Sequence, residues 1–500
     1  MNLTTLLDMA ADGGDDRIVL GSSRDGLSAG QLREAARNGA ATLARGGASA
    51  LVHIAKNGPA FPVALLAAAL AGVPFVPINY RLGRAQLGAL LAKHPGAYVI
   101  ADEQHAGLAE EIAVGIRTPE AWLAAARTPA ASGSASDPDP DSTAVIIYTS
   151  GTTSEPKGVL LRHGNLVSYV IGTVEFGSAG ADESSLLCVP PYHIAAVSNV
   201  LTNLYAGRRL VLLDAFTPSA WLRLVRDERV TNAMVVPTIL ARIMDDGSAD
   251  RSVPSLRTLA YGGAAMPPRV IERALREWPH VGFVNAYGLT ETSSTVSILG
   301  PEEHREAFAS ADPAVRARLH SAGRPIPGVD VQVRDADGVE VPIGAPGRIW
   351  VRGEQVSGEY AGKARARDDG WFDTRDLGRL DADGFLFVEG RQDDTIIRGA
   401  ENIAPAEIED VLLRQDGVAD AVAVGVPDDE WGHRIEAVVT PERDAELDPD
   451  ALREAAEAAL RTSKTPDRIA VWDEIPRTDT GKIQRHHVVT RLAVGDDITG

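Results

Sequence analysis

Short apolar runs alternate with segments of helical periodicity along most of this chain, and that alternation restricts the fold more than any other feature. Leu32 to Leu43 has the apolar spacing of an amphipathic helix, while Ala50-Leu51-Val52-His53-Ile54 and Gly96-Ala97-Tyr98-Val99-Ile100 read as buried strands. The pattern resumes with strands at Arg209–Leu213 and Ala233–Val236 around a helix over Pro218 to Asp227. Strand ends at Leu259-Ala260-Tyr261 and Phe283-Val284-Asn285 flank a further helix over Pro268 to Glu277. Such alternation argues an α/β fold with a largely parallel sheet. From Val329 the texture becomes β: Val329–Val333, Gly347–Val351 and Phe385–Val388 are joined by Asp-Gly turns. A last segment combines a helix over Pro405 to Gln415, strands at Val418–Val424 and Ile435–Thr440, a helix over Pro449 to Arg461 and a basic, glycine-containing tail. The 500 residues exceed what one core supports. The boundary is expected between Gln392 and Asp393, giving domains 1–392 and 393–500. No internal repeat is visible.

Composition narrows the function classes. A net charge of −20 repels nucleic-acid phosphates, so no nucleic-acid partner is expected. The one cysteine, Cys188, lies in the apolar run Leu186–Val189, which excludes an internal disulfide and reads as a small core residue. The start Met1-Asn2-Leu3-Thr4-Thr5-Leu6 lacks a signal-peptide pattern, so the cytoplasm is the expected location. Phe61 to Ile78 is uncharged and mostly apolar, but Pro62, Gly72, Pro74 and Pro77 interrupt it and alanine dominates. It reads as a buried helix through Leu70 and a short strand over Val73–Ile78, not as a membrane span.

The strand Ala144-Val145-Ile146-Ile147 runs into Tyr148-Thr149-Ser150-Gly151-Thr152-Thr153-Ser154-Glu155-Pro156-Lys157-Gly158-Val159. Close-approaching backbone N–H groups, short hydroxyl donors and one cation suit a polyphosphate. It is not a Walker A loop, because Pro156 stands where the second glycine belongs and Gly158 follows Lys157. Further on, Asn285-Ala286-Tyr287-Gly288-Leu289-Thr290-Glu291-Thr292 offers an aromatic face, a hydroxyl and a carboxylate suited to Mg²⁺, although alone it could be a mere strand-to-loop turn. Asp376 in Gly370–Gly378 could be an ordinary solvated loop acid, and Lys482 in Pro476–Arg485 an ordinary exposed lysine.

Together, in this order, these stretches resemble the motifs of the adenylate-forming enzymes of the acyl-CoA synthetase type. The resemblance implies a large N-terminal domain of layered α/β subdomains with a β-rich subdomain, and a small mobile α+β C-terminal domain. It implies ATP binding by Thr149, Ser150, Gly151, Thr152, Thr153 and Lys157. Gly263 and Ala264 would flank the adenine and the acyl group, Tyr287 would stack on adenine, Asn285, Ala286 and Gly288 would also bind ATP, and Asp376 and Arg391 would hold the ribose. Thr290 would touch the α-phosphate and Glu291 would help hold Mg²⁺. Gly390 to Ile403 resembles the hinge motif, with Asp393 the pivot and Arg398, Gly399, Ala400 and Glu401 lining the CoA tunnel. Lys482 would be the catalytic cation. Arg375, Ala400 and Ser154 stand where glycine is commoner in the family.

The implied reaction activates a carboxylic acid with ATP as acyl-AMP, releases pyrophosphate, and transfers the acyl group to CoA or to a carrier-protein phosphopantetheine. Pro190–Asn199 resembles the acyl-pocket motif, with His193 against the substrate carboxylate or gating the tunnel; a core histidine is the alternative. Ala196, Val197, Gly262, Gly263 and Gly288 would complete the pocket. No acid lies between Tyr192 and Asn199 to hold an ammonium, so an uncharged acyl, aryl or alicyclic acid is expected. A catalytically silent adenylate-binding protein is the rival class, and the resemblance leaves room for a homodimer.

Overall fold

The computed structural model describes all residues except 129–136, 150–155, 248–249, 363–368, 399–400, 429–430, 444, 461, 479–480 and 495–500, and the side chains of Glu401, Asn402 and Val494. Two sheets dominate the first three hundred or so residues. One is six-stranded, in the order Gly115–Arg117, Tyr98–Ala101, Leu51–Ile54, Phe75–Pro77, Thr143–Thr149, Lys157–Arg162, and parallel except for its last hairpin. The other has nine strands, with the parallel series Ile18–Leu20, Arg209–Leu212, Ser184–Leu187, Asn232–Val235, Thr258–Gly262, Gly282–Leu289 at its centre. Helices Leu3–Gly13, Ala29–Gly46, Ala60–Ala71, His163–Thr173 and Ile194–Ala206 share one apolar cluster with both sheets and fill the space between them. Separate clusters cover the two outer faces, which gives alternating layers of helix and sheet.

The uncharged stretch after Phe61 is the helix Ala60–Ala71, buried at every position from Ala60 to Leu70, and Gly72 ends it in the left-handed conformation. Its alanines follow from close packing. A Cβ placed on Gly39 of the neighbouring helix would stand 2.8 Å from the Cβ of Ala67, so larger side chains have no room at this crossing. No helix among the described residues is long and apolar enough to cross a membrane.

Strands Asp330–Arg334, Gly347–Arg352, Phe372–Leu380 and Leu386–Arg391 form an antiparallel sheet. The third strand corrects the sequence reading, which put Asp376 in a loop. Its inward positions Thr374 and Asp376 are polar and so break the apolar alternation, but both are satisfied inside: Thr374 Oγ1 donates to the Ile349 carbonyl at 2.8 Å. Beyond residue 395, Val418–Asp428, Gly432–Pro441 and Arg468–Val471 form a small sheet with apolar clusters on its two faces, drawn wholly from residues 396–492. The basic, glycine-containing tail carries the helix Arg485–Val494.

Three histidines are locked into the N-terminal layers as neutral rings. His163 Nδ1 accepts the Leu3 N–H at 3.3 Å. His304 lies between the Tyr261 hydroxyl and the Gly300 carbonyl, both at 2.8 Å. His53 packs between Phe61 and Phe75. Burial lowers each pKa to about 4, against an ordinary value near 6.5. Because the folded values are depressed, this contribution to stability is complete above about pH 6.5 and is lost as pH falls toward 4, by roughly 1.4 kcal/mol per pH unit for each ring. Urea unfolding should therefore show a clearly lower midpoint at pH 5 than at pH 7.5. An unchanged midpoint would contradict the assignment of the three rings as buried and neutral.

Candidate active site

The candidate residues gather where parallel strands end. Thr143–Thr149 and Lys157–Arg162 pair antiparallel with Thr149 opposite Lys157, so the phosphate-type loop closes a hairpin instead of entering a helix. The two ends are tied by Thr149 Oγ1 donating to the Lys157 carbonyl at 3.4 Å. Ser150, Gly151, Thr152 and Thr153 lie outside the described residues. Tyr148, at the start of the loop, is held by the His94 ring nitrogen at 2.8 Å, a contact the sequence did not signal.

In the other sheet, Thr258–Gly262 and Gly282–Leu289 run side by side with Gly262 opposite Ala286. A Cβ on Gly262 would stand 2.2 Å from the Ala286 carbonyl oxygen, and one on Gly288 would stand 1.8 Å from that of Ser294. Both glycines are demanded by backbone approach. Gly263 follows at φ +86° and leads into Ala264. Asn285 Nδ2 donates to the Ser321 carbonyl at 2.9 Å, which fixes the strand end that presents Tyr287.

Two carboxylates stand beyond these strand ends. Asp376 is buried, accepts the Tyr287 hydroxyl on Oδ2 at 2.6 Å and takes Arg391 Nε on Oδ1 at 3.0 Å. Each oxygen keeps a lone pair, enough for two vicinal hydroxyls. Burial and the carboxylate push the Tyr287 pKa well above its ordinary value, so the phenol stays a donor. Glu291 follows Thr290 on the 3₁₀ turn Thr290–Thr292 and accepts the Tyr360 hydroxyl on Oε1 at 2.8 Å. Tyr360 lies outside the stretches singled out in the sequence and was not anticipated; the pairing of its segment with the strand after the phosphate loop brings it here.

Lys482 comes from the far end of the chain. The turn that carries it is held by Arg477, which grips Asp420 at 2.6 and 2.8 Å and donates to the Gly481 carbonyl at 2.5 Å. Gly481, at φ +80°, comes so close to Thr238 that an added Cβ would lie 2.9 Å from its side chain. Arg269 of the N-terminal layers also donates to the Ala419 carbonyl at 3.2 Å. The Lys482 side chain keeps solvent access, yet the protein crowding its ammonium lowers its pKa, with Arg391 acting in the same direction and Asp376 and Glu291 opposing. The ammonium thus shares one electrostatic neighbourhood with both carboxylates.

The other expected residues are more dispersed. His193 caps the helix Ile194–Ala206 with its ring against Tyr192 at 4.5 Å. Ala196 and Val197 are fully buried in the shared core, whereas Ala195 is only half-buried. Asp393 lies on the 3₁₀ turn Gln392–Asp394, 4.0 Å from Arg375. Arg375 itself sits at φ +61°, a conformation that costs a non-glycine residue roughly 1–2 kcal/mol, which gives the family's usual glycine there a physical reason. Arg398 ends the strand Ile396–Arg398 opposite Glu401, and its guanidinium holds Asp467 at 2.5 and 2.8 Å and lies over Trp431. Gly399 and Ala400 lie outside the described residues.

A strand-end hairpin, a buried carboxylate with a lone pair left on each oxygen, a second carboxylate and a lysine from the far end of the chain suit a nucleotide-activating site. Comparison with known proteins agrees. The AMP-binding enzyme family matches residues 7–361 and the AMP-binding enzyme C-terminal domain matches residues 407–482. The chain is 35% identical over 457 residues to a feruloyl-CoA synthase of Amycolatopsis sp, covering 88% of each. It is 32% identical over 461 residues to the indoleacetate–CoA ligase of Aromatoleum aromaticum, again covering 88% of each. The crystal structure of ATP-bound MatB from Rhodopseudomonas palustris superposes with a TM-score of 0.88 at 25% identity, over 99% of this chain and 100% of that one. The chain belongs to the AMP-binding, adenylate-forming enzymes, as an ATP-dependent acyl-CoA synthetase that makes a thioester through acyl-AMP.

Proposed function

We propose that this acyl-CoA synthetase activates an uncharged aryl or alicyclic carboxylic acid, with Lys482 as the catalytic cation of the first half-reaction and Asp393 as the pivot between the two. The observation that supports the proposal is that Lys482 lies within electrostatic reach of Asp376, Glu291 and Arg391. In the first step a substrate carboxylate oxygen attacks the α-phosphorus of ATP; the new O–P bond replaces the bond to pyrophosphate. Both partners are anions, so catalysis is mainly positioning and charge neutralisation. Asp376 and Arg391 hold the ribose, Tyr287 offers its ring face to adenine, Thr290 contacts the α-phosphate, and the hairpin ending at Lys157 receives the departing phosphates.

Glu291 suits Mg²⁺. It is a hard oxygen donor, and among the described residues its Oε2 takes no hydrogen bond. No group of three or more His, Cys, Asp or Glu converges among the described residues, and an ion on Glu291 would take its other ligands from phosphates and water. When bound, the ion would neutralise phosphate charge.

In the second step the C-terminal domain, residues 393–500, turns about Asp393. Lys482 leaves the cleft and the hairpin of Ile396–Arg398 and Glu401–Ile403 enters it. The CoA thiolate, in the cytoplasm, then attacks the acyl-AMP carbonyl, forming the C–S bond and expelling AMP; a carrier-protein phosphopantetheine is the alternative acceptor. The substrate class rests on the uncharged segment Tyr192–Asn199, with His193 at its entrance, and on the aryl acids in the names of the two relatives.

Lys482→Ala should lower acid-dependent ATP–pyrophosphate exchange by about 10²–10³-fold, the scale for one preorganised charge-stabilising donor, while thioester formation from supplied acyl-AMP survives much better. Equal losses in both half-reactions would contradict the assignment. Asp393→Pro should do the reverse, sparing exchange and stopping transfer to CoA, and intact transfer would remove Asp393 as pivot. In a panel of carboxylic acids assayed by exchange, uncharged aryl or alicyclic acids should lead; preference for an amino acid or a dicarboxylate would overturn the substrate class.

A further inference from the structure

We propose that Tyr360 is a positioning residue for Glu291, fixing that carboxylate and linking it mechanically to the phosphate-loop hairpin. The inference rests on the reading of Glu291 as the carboxylate on the phosphate side of the reaction. The direct contact is the Tyr360 hydroxyl donating to Glu291 Oε1 at 2.8 Å, across 69 positions of sequence. It is the side-chain part of a larger clamp. The Glu291 carbonyl accepts the N–H groups of Ser357 at 2.9 Å and Gly358 at 3.2 Å. Two residues earlier, Gln355 Nε2 donates to the carbonyls of Thr292 at 2.9 Å and Thr295 at 2.7 Å, and the Gln355 carbonyl accepts Ser293 Oγ at 2.8 Å. Ser293 and Ser294 sit at φ +58° and +124°, so the turn after Glu291 is held in a conformation that its own residues disfavour.

The same segment is docked on the strand that leaves the phosphate loop. The Leu160 N–H donates to the Glu359 carbonyl at 3.0 Å, the Ala361 N–H donates to the Gly158 carbonyl at 2.8 Å, and Tyr360 bridges antiparallel to Val159. Arg162, at the end of that strand, pairs with Glu359 at 2.8 Å. Residues 355–361 therefore join the hairpin that would cradle the β- and γ-phosphates to the turn that carries Glu291. A glutamate on an open turn has several rotamers. Here the phenol selects one, occupies one lone pair of Oε1 and leaves Oε2 for a ligand. Burial and the adjacent carboxylate raise the Tyr360 pKa, which keeps the hydroxyl a donor at neutral pH.

A purely structural role is the competing account, because the Tyr360 ring also packs against the shared core. Tyr360→Phe separates the two, since it keeps the ring and removes only the hydroxyl. Loss of an outer partner of a metal-binding carboxylate typically costs 10–100-fold in metal affinity or activity. Tyr360→Phe should raise the half-saturating Mg²⁺ of pyrophosphate exchange by about 10-fold and weaken Mn²⁺ binding to the enzyme–ATP complex, read by electron paramagnetic resonance, to a similar extent. The thermal midpoint and CoA transfer from supplied acyl-AMP should match wild type. Glu291→Gln should show the same two metal effects, and adding Tyr360→Phe to it should cause little further loss. Wild-type Mg²⁺ and Mn²⁺ dependence in Tyr360→Phe, alongside a shifted Glu291→Gln, would overturn this inference alone. Unshifted dependence in Glu291→Gln would overturn the reading of Glu291 and this inference with it. Equal loss in both half-reactions with a lowered thermal midpoint would leave Tyr360 a packing residue.

Discussion

Two carboxylates, each held by a phenol, are the arrangement on which the rest of this site depends. Tyr287 donates to Asp376 and Tyr360 to Glu291. A site that receives a polyanion gains nothing from bare carboxylates, and this chain already carries a net charge of −20. A lysine or arginine on Glu291 would cancel the charge that a cation is meant to find. A phenol orients the carboxylate without neutralising it, and the carboxylate in turn keeps the phenol protonated. Positive charge is supplied separately by Arg391, on Asp376, and by Lys482, on a different domain. In the proposed domain movement, a cation carried on the C-terminal domain is present for one half-reaction and absent from the other.

The domain arrangement follows the same logic. The C-terminal unit has its own apolar clusters, and among the described residues its contacts with the N-terminal layers include Arg269 with Ala419 and Glu442, the Gly481 turn with Thr238, and the helix Pro405–Leu412 against the strand Leu386–Arg391. Exposed ion pairs of this kind contribute little to the orientation. At the proposed pivot, Arg375 faces Asp393 from a left-handed backbone position.

Much of this was legible in the sequence, and the exceptions have physical reasons. The helices Pro218–Asp227 and Pro268–Glu277 were read to the residue, because proline opens each one and an apolar stripe runs along it. Four of the six parallel strands of the nine-stranded sheet were also readable as apolar runs, whereas Ile18–Leu20 and Ser184–Leu187 were not. Phe372–Leu380 was missed because its inward positions are polar and satisfied by partners far away in sequence. The strand Lys157–Arg162 was hidden by basic residues at both ends. Arg375 was visible as a departure from glycine, but only the backbone gives the departure its meaning at φ +61°. Tyr360 left no signal, since its contact with Glu291 exists only after residues 359–361 pair with 158–160. Composition and periodicity report burial; they do not report which distant segments meet.

The central claim is that the arrangement with Gly481 against Thr238 is the adenylating state and must open for thioester formation. The Cβ of Thr238 and the position of a Cβ on Gly481 are 3.5 Å apart, within the range a disulfide spans, and the native Cys188 is buried. The doubly substituted enzyme Thr238→Cys/Gly481→Cys, oxidised to a crosslink, is therefore the most direct test. The crosslinked enzyme should still exchange pyrophosphate into ATP with an accepted acid but transfer no acyl group to CoA, and a reductant should restore transfer. Undiminished acyl transfer to CoA by the crosslinked enzyme would contradict the account.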